Sequence, residues 1–212
     1  WRLPRGAFPA PFELPRRFRT SRYIVTDSAE AVLKRTCDRG IPTVYACWHD
    51  EFLICLLSLQ CRRFPKPLFI TNDSFGGIFL ETVCRLFDNP FLVIERRSPL
   101  ESRIDRLAKG LAEHRRMTIA ADYGPPWYKA RPTADQLAAI AAGYVVAMRL
   151  EPLRKWRLPL GFAGGTAYLP TPFTSYAFWL SEPHRAGQAV LSEKLHALSR
   201  CSSSLENPSV ST

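Results

Sequence analysis

Thr43-Val44-Tyr45-Ala46-Cys47-Trp48 is an unbroken apolar run that ends on His49-Asp50-Glu51. Its length and its β-branched and aromatic content are those of a short buried strand. Three further runs share this form: Leu68-Phe69-Ile70-Thr71, Phe91-Leu92-Val93-Ile94 and Met117-Thr118-Ile119-Ala120-Ala121. Helical patterns lie around and between them. Asp27 and Glu30 are spaced as a capping box ahead of a helix over 28–39 that stops at Gly40. Glu51 to Leu59 and Gly77 to Phe87 are helix-permissive. Leu100, Ile104, Leu107 and Leu111 recur at helical spacing, which predicts a helix with its charged face outward. Beyond these, the pattern predicts a helix from Thr133 and strands at Tyr144–Leu150, near Arg157–Phe162 and at Tyr176–Leu180. A closing helix is expected over His184–Arg200. Alternation of this order predicts one α/β domain with a mostly parallel central sheet and helices on both faces.

The composition agrees with one domain. The chain has 212 residues, 46% of them hydrophobic and 23% charged, which excludes a wholly disordered chain. No apolar run approaches the ~18 residues of a membrane-spanning helix. Lysine and arginine number 29 against 19 acids, a net charge of +10 that suits a polyanionic partner. Half of that excess falls in residues 1–22, where six arginines stand against Glu13, with Trp1, Phe8, Phe12 and Phe18 among the prolines. This stretch reads either as an arm that lies on an anionic membrane surface or as a solvated leader. The organisation expected is therefore an arm over 1–22, a domain over 23–200, and a Ser-rich disordered tail over 201–212. Six cysteines show neither a Cys-x-x-Cys pair nor zinc spacing, so they read as reduced core thiols, and no metal is expected.

In a parallel sheet, sites form where strands end at their carboxyl side. Polar residues stand at four such ends: His49 and Asp50; Asn72 and Asp73; Glu95, Arg96 and Arg97; and Asp122. An imidazole directly after a buried strand is placed to act as a general base, or else to hold a backbone carbonyl. Arg96-Arg97-Ser98, between a strand and a helix, suits phosphate as readily as it suits solvent. After Asp122, three prolines in eleven residues make a rigid loop that carries Lys129 and Arg131.

These blocks, in this order, resemble the lysophospholipid (glycerolipid) acyltransferase superfamily. The likeness is nearest to a bacterial branch with Trp-His, Arg-Gly-Ser-Ser, Asp-Gly-Pro-x-Gly-Pro and Lys-Pro-Gly blocks. Here they stand as Trp48-His49, Arg96-Arg97-Ser98-Pro99, Asp122-Tyr123-Gly124-Pro125-Pro126 and Arg131-Pro132-Thr133, with Leu169-Pro170-Thr171-Pro172-Phe173 downstream. The resemblance covers about residues 20 to 195. It departs from the pattern at three places. Ile54 stands where the superfamily's His-x-x-x-x-Asp signature has its acid, so Asp50, Glu51, Asp73 and Asp122 are all candidates to orient His49. Tyr123 separates Asp122 from Gly124. Arg97 replaces a small residue.

The resemblance implies transfer of a fatty acyl group from acyl-CoA or acyl carrier protein to a hydroxyl of a lysophospholipid or related lipid. His49 and Asp122 would be catalytic, and Arg96, Arg97, Ser98, Gly124, Lys129 and Arg131 would bind substrate. No cofactor is called for beyond the acyl-CoA or acyl carrier protein co-substrate. The implied location is cytoplasmic, on the inner face of the cytoplasmic membrane. Two other classes compete: a non-catalytic lipid- or acyl-carrier-binding relative, and a nucleic-acid binder. The second has only the net charge in its favour, and no nucleic-acid-binding motif accompanies it.

Overall fold

In the computed structural model, residues 23–38, 40–58, 66–122, 129–159, 166–171, 174–186 and 190–203 are described. Their strands are β1 (Tyr23–Val25), β2 (Thr43–Cys47), β3 (Leu68–Asn72), β4 (Phe91–Ile94), β5 (Arg116–Ala120), β6 (Tyr144–Pro152), β7 (Lys155–Pro159), β8 (Thr166–Pro170) and β9 (Tyr176–Leu180). The helices are α1 (Asp27–Asp38), α2 (Phe52–Ser58), α3 (Phe75–Leu86), α4 (Leu100–His114), α5 (Thr133–Ile140) and α6 (Leu191–Ser203), with a 3-10 turn over His49–Glu51.

Alternation along β2 explains the layering, because successive side chains of a strand leave opposite faces. Tyr45 and Cys47 enter one apolar cluster with Ala29 and Val32 of α1, Cys55 of α2 and Cys84 of α3. Val44, Ala46 and Trp48 enter a second, with Leu111 of α4, Leu137 of α5 and Leu195 of α6. All five residues of β2 are buried, as expected of a central strand covered by helices on both faces.

Seven strands form the main sheet in the order β1-β9-β6-β2-β5-β3-β4. Every neighbouring pair is parallel except β6 and β9. The predicted single α/β domain with a mostly parallel sheet is thus what the chain forms. An antiparallel hairpin of β7 and β8 stands apart from that sheet.

Several elements differ from the sequence reading. The first helical residue is Asp27, and Thr26 before it caps α1: its Oγ1 accepts the Ala29 N–H at 3.2 Å. Gly40 does follow that helix, at φ 59° in the left-handed region that glycine adopts without strain. The closing helix begins at Leu191 rather than His184, because His184 exchanges two backbone hydrogen bonds with Val145 and so extends the sheet. It runs on to Ser203, three residues into the stretch read as a tail. The strand expected near 157–162 is β7, displaced toward Lys155, and β1 and β8 are additions. Cys47, Cys55 and Cys84 are buried free thiols, as read, and Cys37 is half-buried. Residues 1–22, Cys61, Gly124, Pro172, Phe173 and residues 204–212 lie outside the described residues. Among those described, no helix is long and apolar enough to cross a membrane.

One glycine fixes the end of β3. A Cβ on Gly77 would lie 1.8 Å from the carbonyl oxygen of Asn72, so the first turn of α3 packs on that strand end only without a side chain. Gly77→Ala is expected to lower stability by about 1–3 kcal/mol through overpacking. The midpoint of urea unfolding measures this.

Candidate active site at the carboxyl edge of the sheet

Strands β2, β5, β3 and β4 are consecutive neighbours in the sheet, so the four polar strand ends singled out in the sequence stand in one row. At about 4.8 Å per strand the row spans roughly 14 Å. His49 and Asp122 are adjacent within it. Cys47 pairs with Ala120, and two residues further along each chain the Asp122 Oδ1 accepts the His49 backbone N–H at 2.8 Å. Asp122 is 1% exposed, whereas the His49 side chain is exposed. Trp48 anchors the exit from the strand: it is buried, and its ring lies 5.1 Å from that of His196 on α6. The Asp122 carboxylate therefore holds the backbone that presents the imidazole.

The same device recurs two strands away. Asp73 Oδ1 accepts the Arg96 N–H at 2.9 Å, tying the end of β3 to the end of β4. Asn72 Oδ1 accepts from the Ser74 N–H and hydroxyl, and Ser74 Oγ in turn caps α3 at the Gly77 N–H. Ser98 closes a turn on Glu95, with its N–H 3.2 Å from the Glu95 carbonyl and its hydroxyl 3.4 Å from the Glu95 carboxylate. Arg97 is exposed.

On the α4–α5 side of this row lies a cavity of about 1110 Å³, just above the usual range of small-molecule sites. Its wall carries four cations, Arg96, Arg103, Lys129 and Arg131, and among its described residues no acid. Ile70, Ile94, Ile104 and Leu107 make up much of the apolar remainder. Of the residues expected to bind substrate, Arg96, Lys129 and Arg131 are thus brought together. His49, Asp122, Arg97 and Ser98 fall outside the described lining.

On the other side of His49 the row continues into β6. Glu51 Oε1 pairs with Arg149 Nη1 at 2.9 Å, Arg149 Nη2 with Glu151 at 3.2 Å, and Glu151 with Lys155 at 2.7 Å. Burial pushes the Glu51 carboxyl up to about 8, against the opposing pull of Arg149 and with Asp50 and Glu151 adding to the rise. The four candidate orienters of His49 now separate. Asp122 holds its backbone, Asp50 shares its 3-10 turn, Glu51 faces Arg149, and Asp73 belongs to the β3–β4 tie.

Two features escaped the sequence reading. Arg103 faces the cavity, although the charged residues of α4 were expected to point outward. Its position was a signal: Leu100, Arg103, Ile104 and Leu107 follow the i, i+3, i+4, i+7 rule, so Arg103 lies on the apolar stripe itself. His184 is buried, with its Nδ1 3.3 Å from Lys194 Nζ and its Nε2 3.6 Å from Asp135. Burial first and Lys194 second lower its pKa, and Asp135 partly offsets them. A scan of the chain against protein-family models matches none, and a search of curated proteins returns no relative.

Proposed function

We propose that this protein is an acyltransferase that moves a fatty acyl group from a thioester donor, acyl-CoA or acyl carrier protein, to a lipid hydroxyl. The observation that supports this reading is the in-register pairing of His49 and Asp122 on one sheet edge with a four-cation cavity. In the proposed step the His49 imidazole takes the proton of the acceptor hydroxyl as its oxygen bonds to the thioester carbonyl carbon. Collapse of the tetrahedral intermediate breaks the carbon–sulfur bond, and the imidazolium returns the proton to the departing thiolate. The products are an ester and a free thiol. No redox partner enters the balance.

In this reading Asp122 is a positioning residue. It acts on the backbone of His49, while the cavity cations hold the anionic end of a substrate. The protein is then expected to work at a membrane surface, where such acceptors reside, with arm 1–22 assisting the attachment.

Thiol release measured with acyl-CoA or acyl carrier protein, in the presence and absence of mixed lysolipids, tests the proposal. Release that depends on a lysolipid, with the acylated lipid found by mass spectrometry, supports it. Lipid binding without release points to a non-catalytic relative. Tight, salt-sensitive binding of DNA or RNA without lipid preference overturns the lipid reading.

A further inference from the structure

Among the described residues seven large apolar side chains stand exposed, and three of them share α3: Ile78 at 57%, Phe79 at 52% and Leu86 at 38%. Ile78, Thr82 and Leu86 follow one another four residues apart, the spacing of a ridge along which helices pack. Phe79 lies beside that ridge, three residues before Thr82 and seven before Leu86. Thr82, exposed between them, donates its hydroxyl to the Ile78 carbonyl at 2.9 Å, so its polar atom is satisfied inside the helix. The helix has one acid and one base, Glu81 and Arg85, paired at 2.8 Å. In a chain of net charge +10 this face is therefore neutral, and a polyanion or an anionic membrane gains nothing from it. An apolar face flanked by one matched pair of charges suits another of the same kind.

From this pattern we infer that α3 is an interface with a second copy of this chain, the two helices packed antiparallel about a two-fold axis at Thr82. Such an axis sets each residue before Thr82 against the residue equally far beyond it in the other copy. Ile78 then meets the second copy's Leu86, and Leu86 its Ile78, so both ends of the ridge are covered. Thr82, the small member of the ridge, meets itself where the helices come closest. Phe79 comes opposite the second copy's Arg85, a cation placed over its ring. Each Glu81 flanks the axis within about one helical turn of the second copy's Arg85, so the acid–base order along α3 complements itself when reversed. A parallel pairing would instead set Glu81 on Glu81 and Arg85 on Arg85. Only one short helix from each copy is engaged, below the ~1,200 Å² of standard interfaces, so the association is reversible and depends on concentration. It is independent of the acyl-transfer reading.

Sedimentation equilibrium of the whole chain over a range of concentrations is the measurement. The weight-average mass is expected to rise from that of one chain to that of two. Thr82→Arg sets two like charges at the axis and weakens the dimer by about tenfold or more. Ser102→Arg, an equal change of charge on the exposed surface of α4, leaves it within about twofold. Glu81→Lys and Arg85→Glu each bring like charges together twice in every dimer, and each weakens it by about tenfold. An equimolar mixture of those two variants regains most of the dimer, because each copy then meets opposite charge in the other. A mass of one chain at every concentration overturns the inference. So do equal losses in Thr82→Arg and Ser102→Arg, which reduce it to net charge, and a dimer that Thr82→Arg leaves intact, which places the contact elsewhere. Flotation on neutral vesicles that Thr82→Arg abolishes, in a protein that stays monomeric, gives α3 to a bilayer instead. Failure of the mixture to dimerise, while both variants keep the parent's circular dichroism, overturns the antiparallel pairing.

Discussion

Turnover in the thiol-release assay falls by about 10²–10⁴-fold in His49→Ala, the usual worth of a positioned general base. The informative comparison is with two changes at Asp122. Asp122→Ala removes the acceptor of the His49 N–H and leaves a part-buried donor to water, at a cost of about 1 kcal/mol in stability. It also frees the backbone on which the imidazole is mounted. A displacement of the base by an ångström is enough to lose about 10²-fold in rate. Asp122→Asn keeps an oxygen at the same place and is expected to retain most of the turnover. Because the loss arises from placement of the base, it appears in kcat and leaves the KM for the lipid nearly unchanged. If Asn proves as damaging as Ala while the unfolding midpoint stays put, the carboxylate charge itself is required and the positioning role is wrong.

The strands that carry the site were legible because each is an apolar run cut off by polar residues, and β2, β3, β4 and β5 all have that form. Their parallel order followed from the helices between them. The rule that sites form at strand ends also led to residues that share a sheet edge: His49 and Asp122 are 73 positions apart, and the Asp122 carboxylate accepts the His49 backbone N–H. Other features had no signature of that kind. Three residues are too few for a period, so β1 stayed hidden. Leu191, Leu195 and Leu198 set a helical rhythm, but the rhythm cannot say where it begins. His184, seven residues earlier, is taken by the sheet instead.

Side-chain partners were the least legible layer. Four acids were open as orienters of His49, since spacing along the chain says nothing of which way a carboxylate turns. Glu51 illustrates this. It is two residues from His49, yet its carboxylate faces Arg149, nearly a hundred positions away, because β6 lies beside β2 and delivers that guanidinium to the same edge. The consequence is an electrostatic boundary. Acids and bases pair on the β6 side of His49, while the charged residues in the described lining of the cavity on the β4 side are all cations.

Breaking the Glu51–Arg149 pair is expected to be the largest single loss of stability at this edge, and the loss depends on pH. Glu51 is held up to about 8 by burial, well above its value in the unfolded chain, which is near 4.5. The folded state therefore binds the extra proton between those two values. Stability falls as pH rises through that window, by at most about 1.4 kcal/mol for each pH unit. Above pH 8 the carboxylate is charged in both states, and Arg149 is its main compensation. Arg149→Met at pH 9 then costs about 3–5 kcal/mol, the penalty for leaving a buried charge without its partner. At pH 6 Glu51 is protonated in the fold, so the same change costs less, although Glu151 still loses the Arg149 cation. Glu51→Gln removes the titrating group: its thermal midpoint should vary less between pH 5 and 9 than that of the parent. The double variant Glu51→Gln, Arg149→Met should recover much of what Arg149→Met loses at pH 9. An Arg149→Met penalty equal at pH 6 and pH 9, with no recovery in the double variant, would mean that Arg149 acts through packing and through Ser199, whose hydroxyl accepts from its Nη1 at 2.8 Å.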